Sequence, residues 1–252
     1  MEKQPLISII TVTYNAENEI EKTLQSLKEQ SCDDFEHIVV DGASKDKTLQ
    51  RVKDFSLPVS TVISEPDKGL YDAMNKGLCL AKGKYVLFLN AGDSFFDSET
   101  LGIYAEVARK DFDIIYGDTC IVDPTGKIVG DRHLHVPSIL DFRSFSKGML
   151  ICHQAFMVKK DIAGDYDLNY RFSADFDWCI RCIKETTPDR CLNLKTVSIR
   201  FLEAGITDKN KLKSLKERFR IMTKHYGLVP TIFNHFQFLF RALKRRACKR
   251  PV

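Results

Sequence analysis

Apolar and polar positions in the first third of the chain alternate between two periods. Leu6 to Val12 is an unbroken, largely β-branched run bounded by polar residues, as expected of a strand buried on both faces. Ile20, Leu24 and Leu27 then recur at helical spacing. His37 to Val40 is a second strand-like run that stops at Asp41-Gly42, and Ser44 stands where it can cap a helix from Lys45 to about Phe55. Val59 to Ile63 predicts a third strand, Leu70, Met74, Leu78 and Ala81 a third helix, and Tyr85 to Leu89 a fourth strand. Short alternating segments of this kind predict an α/β fold with a mostly parallel central sheet, right-handed crossovers and flanking helices.

After Asp93 the rhythm loosens. A helix is expected near Glu99 to Arg109, a strand at Asp113 to Tyr116, a hairpin turn at Asp123-Pro124-Thr125-Gly126 and a strand at Ala155 to Val158. Beyond Ile206 the pattern is helical and basic. With 252 residues and 44% hydrophobic content the chain can bury a full core, which excludes disorder as its ground state. The net charge of +4 hides an asymmetry: Lys209 onward carries 13 Lys or Arg and one acid, Glu217. An acidic body with a basic tail implies that the tail meets something anionic. The eight cysteines are scattered, mostly among apolar neighbours, and read as free thiols of a reducing cytosol. Cys179 and Cys182 form an isolated pair with no second pair suitably spaced for a metal. The N-terminal apolar run reads as a first strand rather than a signal peptide, and no 18-residue apolar window offers a membrane span.

Candidate chemistry follows from where the acids fall. Loops at the carboxyl ends of parallel strands open on one edge of the sheet, so Asn15, Asp41 and Asp93 are expected to converge there. Either Asp alone beside Gly reads as a turn former; their joint appearance after successive strands reads as a site. Such a site suits a nucleotide, whose base and ribose donate to carboxylates and whose diphosphate binds a hard cation. Neither GxGxxG nor GxxxxGK[ST] is present, which points away from hydride transfer and from P-loop hydrolysis of ATP.

Several segments in order carry a resemblance. Ile10-Thr11-Val12-Thr13-Tyr14-Asn15, Val39-Val40-Asp41-Gly42-Ala43-Ser44 with Asp46 and Thr48, and Glu65-Pro66-Asp67-Lys68-Gly69 through Asp72-Ala73-Met74-Asn75-Lys76-Gly77 resemble the family-2 glycosyltransferases. These are inverting enzymes with the GT-A fold. The resemblance is dense over residues 5–95 and thinner to about 205, and Leu89-Asn90-Ala91-Gly92-Asp93 makes it most similar to bacterial polysaccharide transferases of the colanic-acid type.

The resemblance implies a catalytic domain over 1–208, with a nucleotide-sugar half (1–95) and an acceptor half (96–208), followed by a basic helical extension, 209–252. It implies that Thr13, Tyr14 and Asn15 border the nucleotide, that Asp41 meets the base, and that Lys68 and Asp72 lie near the phosphates and ribose. The family's Asp-x-Asp-Asp reads Asn90-Ala91-Gly92-Asp93 here, which leaves Asn90 on the nucleotide-sugar and Asp93 as ligand of a Mg²⁺ or Mn²⁺ bridging the diphosphate. The expected donor is a nucleoside-diphosphate sugar, a UDP-sugar first, and the acceptor a saccharide or lipid-linked saccharide. Ala174-Asp175 matches the family's general-base motif, with Asp175 as base and Asp177 as its competitor; His153 and Gln154 are expected on the acceptor side or as ordinary loop residues. In the tail, Ile232, Phe236, Leu239, Phe240, Leu243 and Ala247 share a stripe beside Arg241, Lys244, Arg245 and Arg246. That helix either lies on an anionic membrane, placing a cytoplasmic enzyme on the inner face, or packs on the domain with its basic face in water. No recognition motif for nucleic acid accompanies the charge. A sugar nucleotidyltransferase and a non-catalytic nucleotide-sugar-binding subunit are the alternatives.

Overall fold

The computed structural model describes residues 4–55, 57, 60–203, 210–236 and 238. The first apolar run forms β1 (Ile7–Thr13), buried along its whole length, flanked in parallel register by β2 (Phe35–Asp41) and β4 (Tyr85–Phe88). β3 (Ser60–Ser64) extends the sheet beyond β2, again parallel. Position 59, where the third strand was expected to begin, lies outside the described residues.

Each crossover helix buries the face its sequence periodicity marks. Ile20 and Leu24 of α1 (Ile20–Lys28) pack with Val39 and with Val52 of α2 (Thr48–Phe55) on one side of the sheet. Tyr71, Met74 and Leu78 of α3 (Leu70–Leu80) pack on Ile10, Val12, Ile38 and Val40 on the other. Gly77 permits that approach, since a Cβ there would collide with the Ile10 side chain. Ser44 does not cap α2 as its type suggested. Its hydroxyl binds Asp41 and accepts Asn15 N, and Asp46 takes the capping role by accepting Thr48 N at 3.0 Å.

Downstream of β4 the sheet becomes mixed. β8 (Phe156–Lys159) inserts antiparallel between β4 and β6 (Ile114–Val122), and β7 (Ile128–Asp131) forms the expected hairpin on β6. The long β9 (Cys191–Leu202) runs parallel to β6 and carries the two-residue β5 (Ser94–Phe95) on its far edge. The chain therefore leaves the end of β4, turns at residues 90–93 and pairs at once with the opposite part of the sheet. Helix α4 (Thr100–Ala108) starts with Asp97 accepting from Thr100.

Two helices close the second half. Trp178, Ile180 and Ile183 of α5 (Ala174–Lys184) are buried in the same core as α3, and Cys179 and Cys182 are buried there as free thiols. Helix α6 (Lys211–Tyr226) contributes Ile221 and Met222 to that core. Its Glu217 accepts Arg171 N at 3.0 Å and Phe172 N at 2.8 Å. The first helix of the basic extension is thus docked on the sheet-bearing body. Of the expected apolar stripe, Leu239, Phe240, Leu243 and Ala247 lie outside the described residues, as does the boundary at 208 and 209. No helix among the described residues is long and apolar enough to cross a membrane.

Candidate active site

The carboxyl ends of β1, β2 and β3 meet where the resemblance places a nucleotide. Gly42 N donates to Thr13 O at 2.9 Å, and Glu65 N donates to Asp41 O at 3.0 Å, so the three strand ends are sewn together as they leave the sheet. Asn15 and Ala43 both adopt left-handed backbone conformations, φ 48° and 60°, that turn the two loops toward each other. Asn15 Oδ1 then accepts Lys45 N at 2.9 Å. Asp41 is fully buried and accepts from Ser44 N at 3.0 Å and Ser64 Oγ at 2.6 Å. Its carboxylate organises the loops from inside. Tyr14, by contrast, is 60% exposed, a ring available for stacking. A Cβ on Gly42 would meet that ring at 3.3 Å and collide with the Asp67 carboxylate, so Tyr14 and Asp67 flank the same narrow gap.

Helix α3 begins beside this gap. Asp67 Oδ1 accepts Gly69 N at 2.8 Å, Gly69 has φ 120°, and Asp72 Oδ2 accepts Lys68 N at 3.0 Å. Asp72 is therefore engaged in starting the helix, while the Lys68 side chain is exposed at its mouth. Lys76 ties this turn to the β3 loop through Glu65 at 2.8 Å.

The turn after β4 is built differently from a metal site. Asp93 is buried, with Oδ1 accepting Leu202 N at 2.9 Å and Oδ2 accepting Gln154 Nε2 at 2.7 Å. Burial pushes its carboxyl up to about 7 despite those two donors. Gly92 has no side chain to offer, and a Cβ there would strike Leu202. Asn90 is neutral, and its Oδ1 is buried with no hydrogen-bond partner among the described residues. No group of three His, Cys, Asp or Glu side chains among the described residues is disposed to hold a cation. The residues at this turn do not fit a divalent cation on Asp93: the single acid is spent on joining β4 to β9 and to the loop before β8.

That loop is what brings the distant acid in. Cys152 Sγ contacts Gln154 Oε1 at 2.7 Å, and Gln154 reaches Asp93; the neighbouring His153 points the other way, its Nδ1 3.9 Å from Asp175 Oδ2. Burial lowers the proton affinity of His153, partly offset by Asp175, so the ring is neutral. Its Nε2 is buried and has no partner among the described residues. Asp175 sits in the first turn of α5, one-fifth exposed. Tyr71 Oη donates to Asp175 Oδ1 at 3.0 Å. Asp177, its competitor in sequence, is fully buried and bound by Arg181 Nε at 2.7 Å, His225 Nε2 at 2.7 Å and Lys224 Nζ at 3.3 Å. Burial alone would raise its carboxyl, but the hydrogen bonds from His225 and Arg181 hold it well below the usual range. Asp177 therefore latches α5 to α6, and Asp175 faces α3. Tyr71 was not singled out in the sequence. A Tyr sharing a helix face with Met74 and Leu78 was the available signal, because a buried phenol seeks a partner.

Comparison with known proteins identifies the family and the fold. The model of glycosyl transferase family 2 matches residues 8–166. A PGL/p-HBAD biosynthesis glycosyltransferase of Mycobacterium bovis is 35% identical over 186 residues, covering 71% of this chain and 70% of that protein. A putative teichuronic acid biosynthesis glycosyltransferase, TuaG of Bacillus subtilis, is 27% identical over 96% of this chain and 98% of its own length. Among solved structures, S. aureus TarS 1-349 in complex with UDP-GlcNAc superposes with TM-score 0.68 at 18% identity, covering 92% of this chain and 73% of that one. A mannosyltransferase of Pyrobaculum calidifontis in complex with GDP-Man and Mn²⁺ gives TM-score 0.65 at 17% identity, covering 100% of this chain and 77% of its own.

Proposed function

This chain belongs to glycosyl transferase family 2, and on that premise we propose that it is an inverting transferase using Asp175 as general base. The carrying observation is the residue pair 153–154. Gln154 holds the turn after β4 while His153 lies against Asp175, so an acid far along the chain stands beside the nucleotide-sugar half. In the proposed reaction the Asp175 carboxylate takes the proton of an acceptor hydroxyl. The acceptor oxygen then forms its bond to the anomeric carbon as the bond from that carbon to the diphosphate breaks. The electron pair leaves with the nucleoside diphosphate, and the configuration inverts.

Tyr14 would stack on the base, Thr13 and Asn15 border it, and Asp41 shape the loops that receive it. Lys68, free at the mouth of α3, would meet the diphosphate, with Asp72 fixing that turn and Asn90 beside the sugar. The buried His153 ring, neutral and with Nε2 unsatisfied, would donate to or accept from a sugar hydroxyl. A UDP-sugar is the first donor to try, given that TarS is solved with UDP-GlcNAc. The acceptor would be a saccharide or lipid-linked saccharide of a surface polymer, as the name of the teichuronic acid relative suggests for that protein.

The test is the product released from a panel of UDP- and GDP-sugars supplied with saccharide acceptors. A transferase releases nucleoside diphosphate and an extended saccharide. Pyrophosphate release from a nucleoside triphosphate and sugar phosphate would instead indicate a nucleotidyltransferase, and binding without any turnover a non-catalytic subunit.

A further inference from the structure

Tyr71 belongs to the donor side of the molecule. It lies on α3, one residue before Asp72 and three after Lys68, and its backbone leaves the turn proposed to receive the diphosphate. Its hydroxyl nonetheless ends on the acceptor side, donating to Asp175 Oδ1 at 3.0 Å. The ring that carries the hydroxyl is held tightly. It is 6% exposed and stacks on Tyr166 at 5.5 Å, and Tyr166 stacks in turn on Trp178 at 5.1 Å. Trp178 lies on α5, the helix that bears Asp175, and its Nε1 is fixed by Gly164 O at 2.6 Å. The phenol and the carboxylate are thus set against each other by one continuous aromatic column.

We propose that Tyr71 is the positioning residue of the general base: its hydroxyl fixes Asp175 Oδ1 so that Oδ2 is left to the acceptor. This rests on the reading of Asp175 as base and deepens it, because it couples the helix that borders the donor to the group that activates the acceptor. Two consequences follow from the chemistry of the contact. A neutral O–H donated to a carboxylate favours its ionised form, the form a general base needs. The same contact fixes the side chain's rotamer, which a solvated carboxylate would not hold on its own. Tyr71 itself does not titrate in competition, since burial, and then the charge of Asp175, carry its phenol well above the usual range.

The other groups that interact electrostatically with Asp175 are His153 from the loop before β8, Tyr166 and the buried thiols Cys152 and Cys179, while Arg218 of α6 interacts with Tyr71. Of these, His153 is 3.9 Å from Oδ2. The Tyr166 hydroxyl has no hydrogen-bond partner among the described residues.

The experiment is steady-state kinetics of the full chain with a nucleoside-diphosphate sugar and a saccharide acceptor, with donor affinity measured separately by calorimetry. Tyr71→Phe keeps the stacked ring and removes only the hydroxyl, so kcat is expected to fall by about tenfold or more while the nucleoside diphosphate Kd stays within about twofold. Tyr166→Phe is the control and leaves both in place. In the wild-type protein the Tyr71 hydroxyl proton is expected as a slowly exchanging NMR resonance that is lost in Asp175→Ala, a readout that needs no Tyr71 variant to fold. An unchanged kcat in folded Tyr71→Phe, or a Tyr71 hydroxyl proton that exchanges freely in the wild-type protein, would overturn the proposal. Failure of the base reading would look different: Asp175→Asn would retain transfer whatever the kcat of Tyr71→Phe.

Discussion

The Asp93 carboxylate accepts a backbone N–H from Leu202 and the side-chain amide of Gln154, and both partners come from the second half of the chain. Nothing in the local sequence Asn90-Ala91-Gly92-Asp93 distinguishes an acid that faces a cation from one that faces the core. Residue type was legible there; orientation was not, because it depends on a strand and a loop far downstream. The same holds for Asp41, whose burial under Ser44 and Ser64 makes it an organiser of the strand-end loops. For Asp175 and Asp177, placement on α5 separates them: one meets Tyr71, the other three cationic or imidazole groups. Since Asp93 is committed to packing, nucleotide binding should not need a cation at this turn. Calorimetric titration with UDP and GDP should give affinities in EDTA within about threefold of those in Mn²⁺, a difference below 1 kcal/mol. A gain of tenfold or more with Mn²⁺ that is lost in Asp93→Asn would restore the metal to Asp93.

At the scale of elements, the first half was readable because each strand and helix carries its own local period and packs on its sequence neighbours. β1 to β4 and α1 to α3 appear within a few residues of the positions their apolar patterns mark. β9 gave no comparable signal. Most of it is half-covered or exposed, its apolar and polar residues interleave, and its partners β5 and β6 lie far away in sequence. The docking of α6 was equally invisible, since it rests on scattered contacts of Ile221, Met222, Glu217, Lys224 and His225 rather than on a stripe. Asp177 is the buried charge among these contacts, and breaking a buried pair leaves its partners unpaired. Asp177→Asn should therefore cost about 3–5 kcal/mol in urea unfolding. The pH dependence has a definite sign. The folded-state carboxyl titrates below its unfolded counterpart, so its contribution is complete above the unfolded value of about 4 and is lost as pH falls further. Acid unfolding should lose part of its steepness in the variant, while an unchanged stability in urea would show that the latch is not holding α6.

Over the whole molecule, the pattern of alternating segments sufficed for an α/β sheet whose strand-end loops gather at its carboxyl edge, and the ordered motifs sufficed for the family. What neither conveyed is how the two halves are joined. That join is made by the path from β4 through the 90–93 turn to β5, by Gln154 and His153 reaching opposite ways, and by Tyr71 crossing to Asp175. These are tertiary contacts between residues unremarkable in their own neighbourhoods, and a spacing rule cannot contain them. Donor binding should nonetheless survive loss of the proposed base, because Asp175 accepts from Tyr71 on α3 and touches none of the strand-end loops through any described hydrogen bond. Asp175→Asn isolates that division. Calorimetry on the variant should show UDP or GDP binding at wild-type affinity while transfer, followed as nucleoside diphosphate release in the presence of acceptor, falls by roughly 10²–10⁴-fold. Retained transfer, or loss of nucleotide binding together with activity, would contradict the assignment of Asp175 as the base.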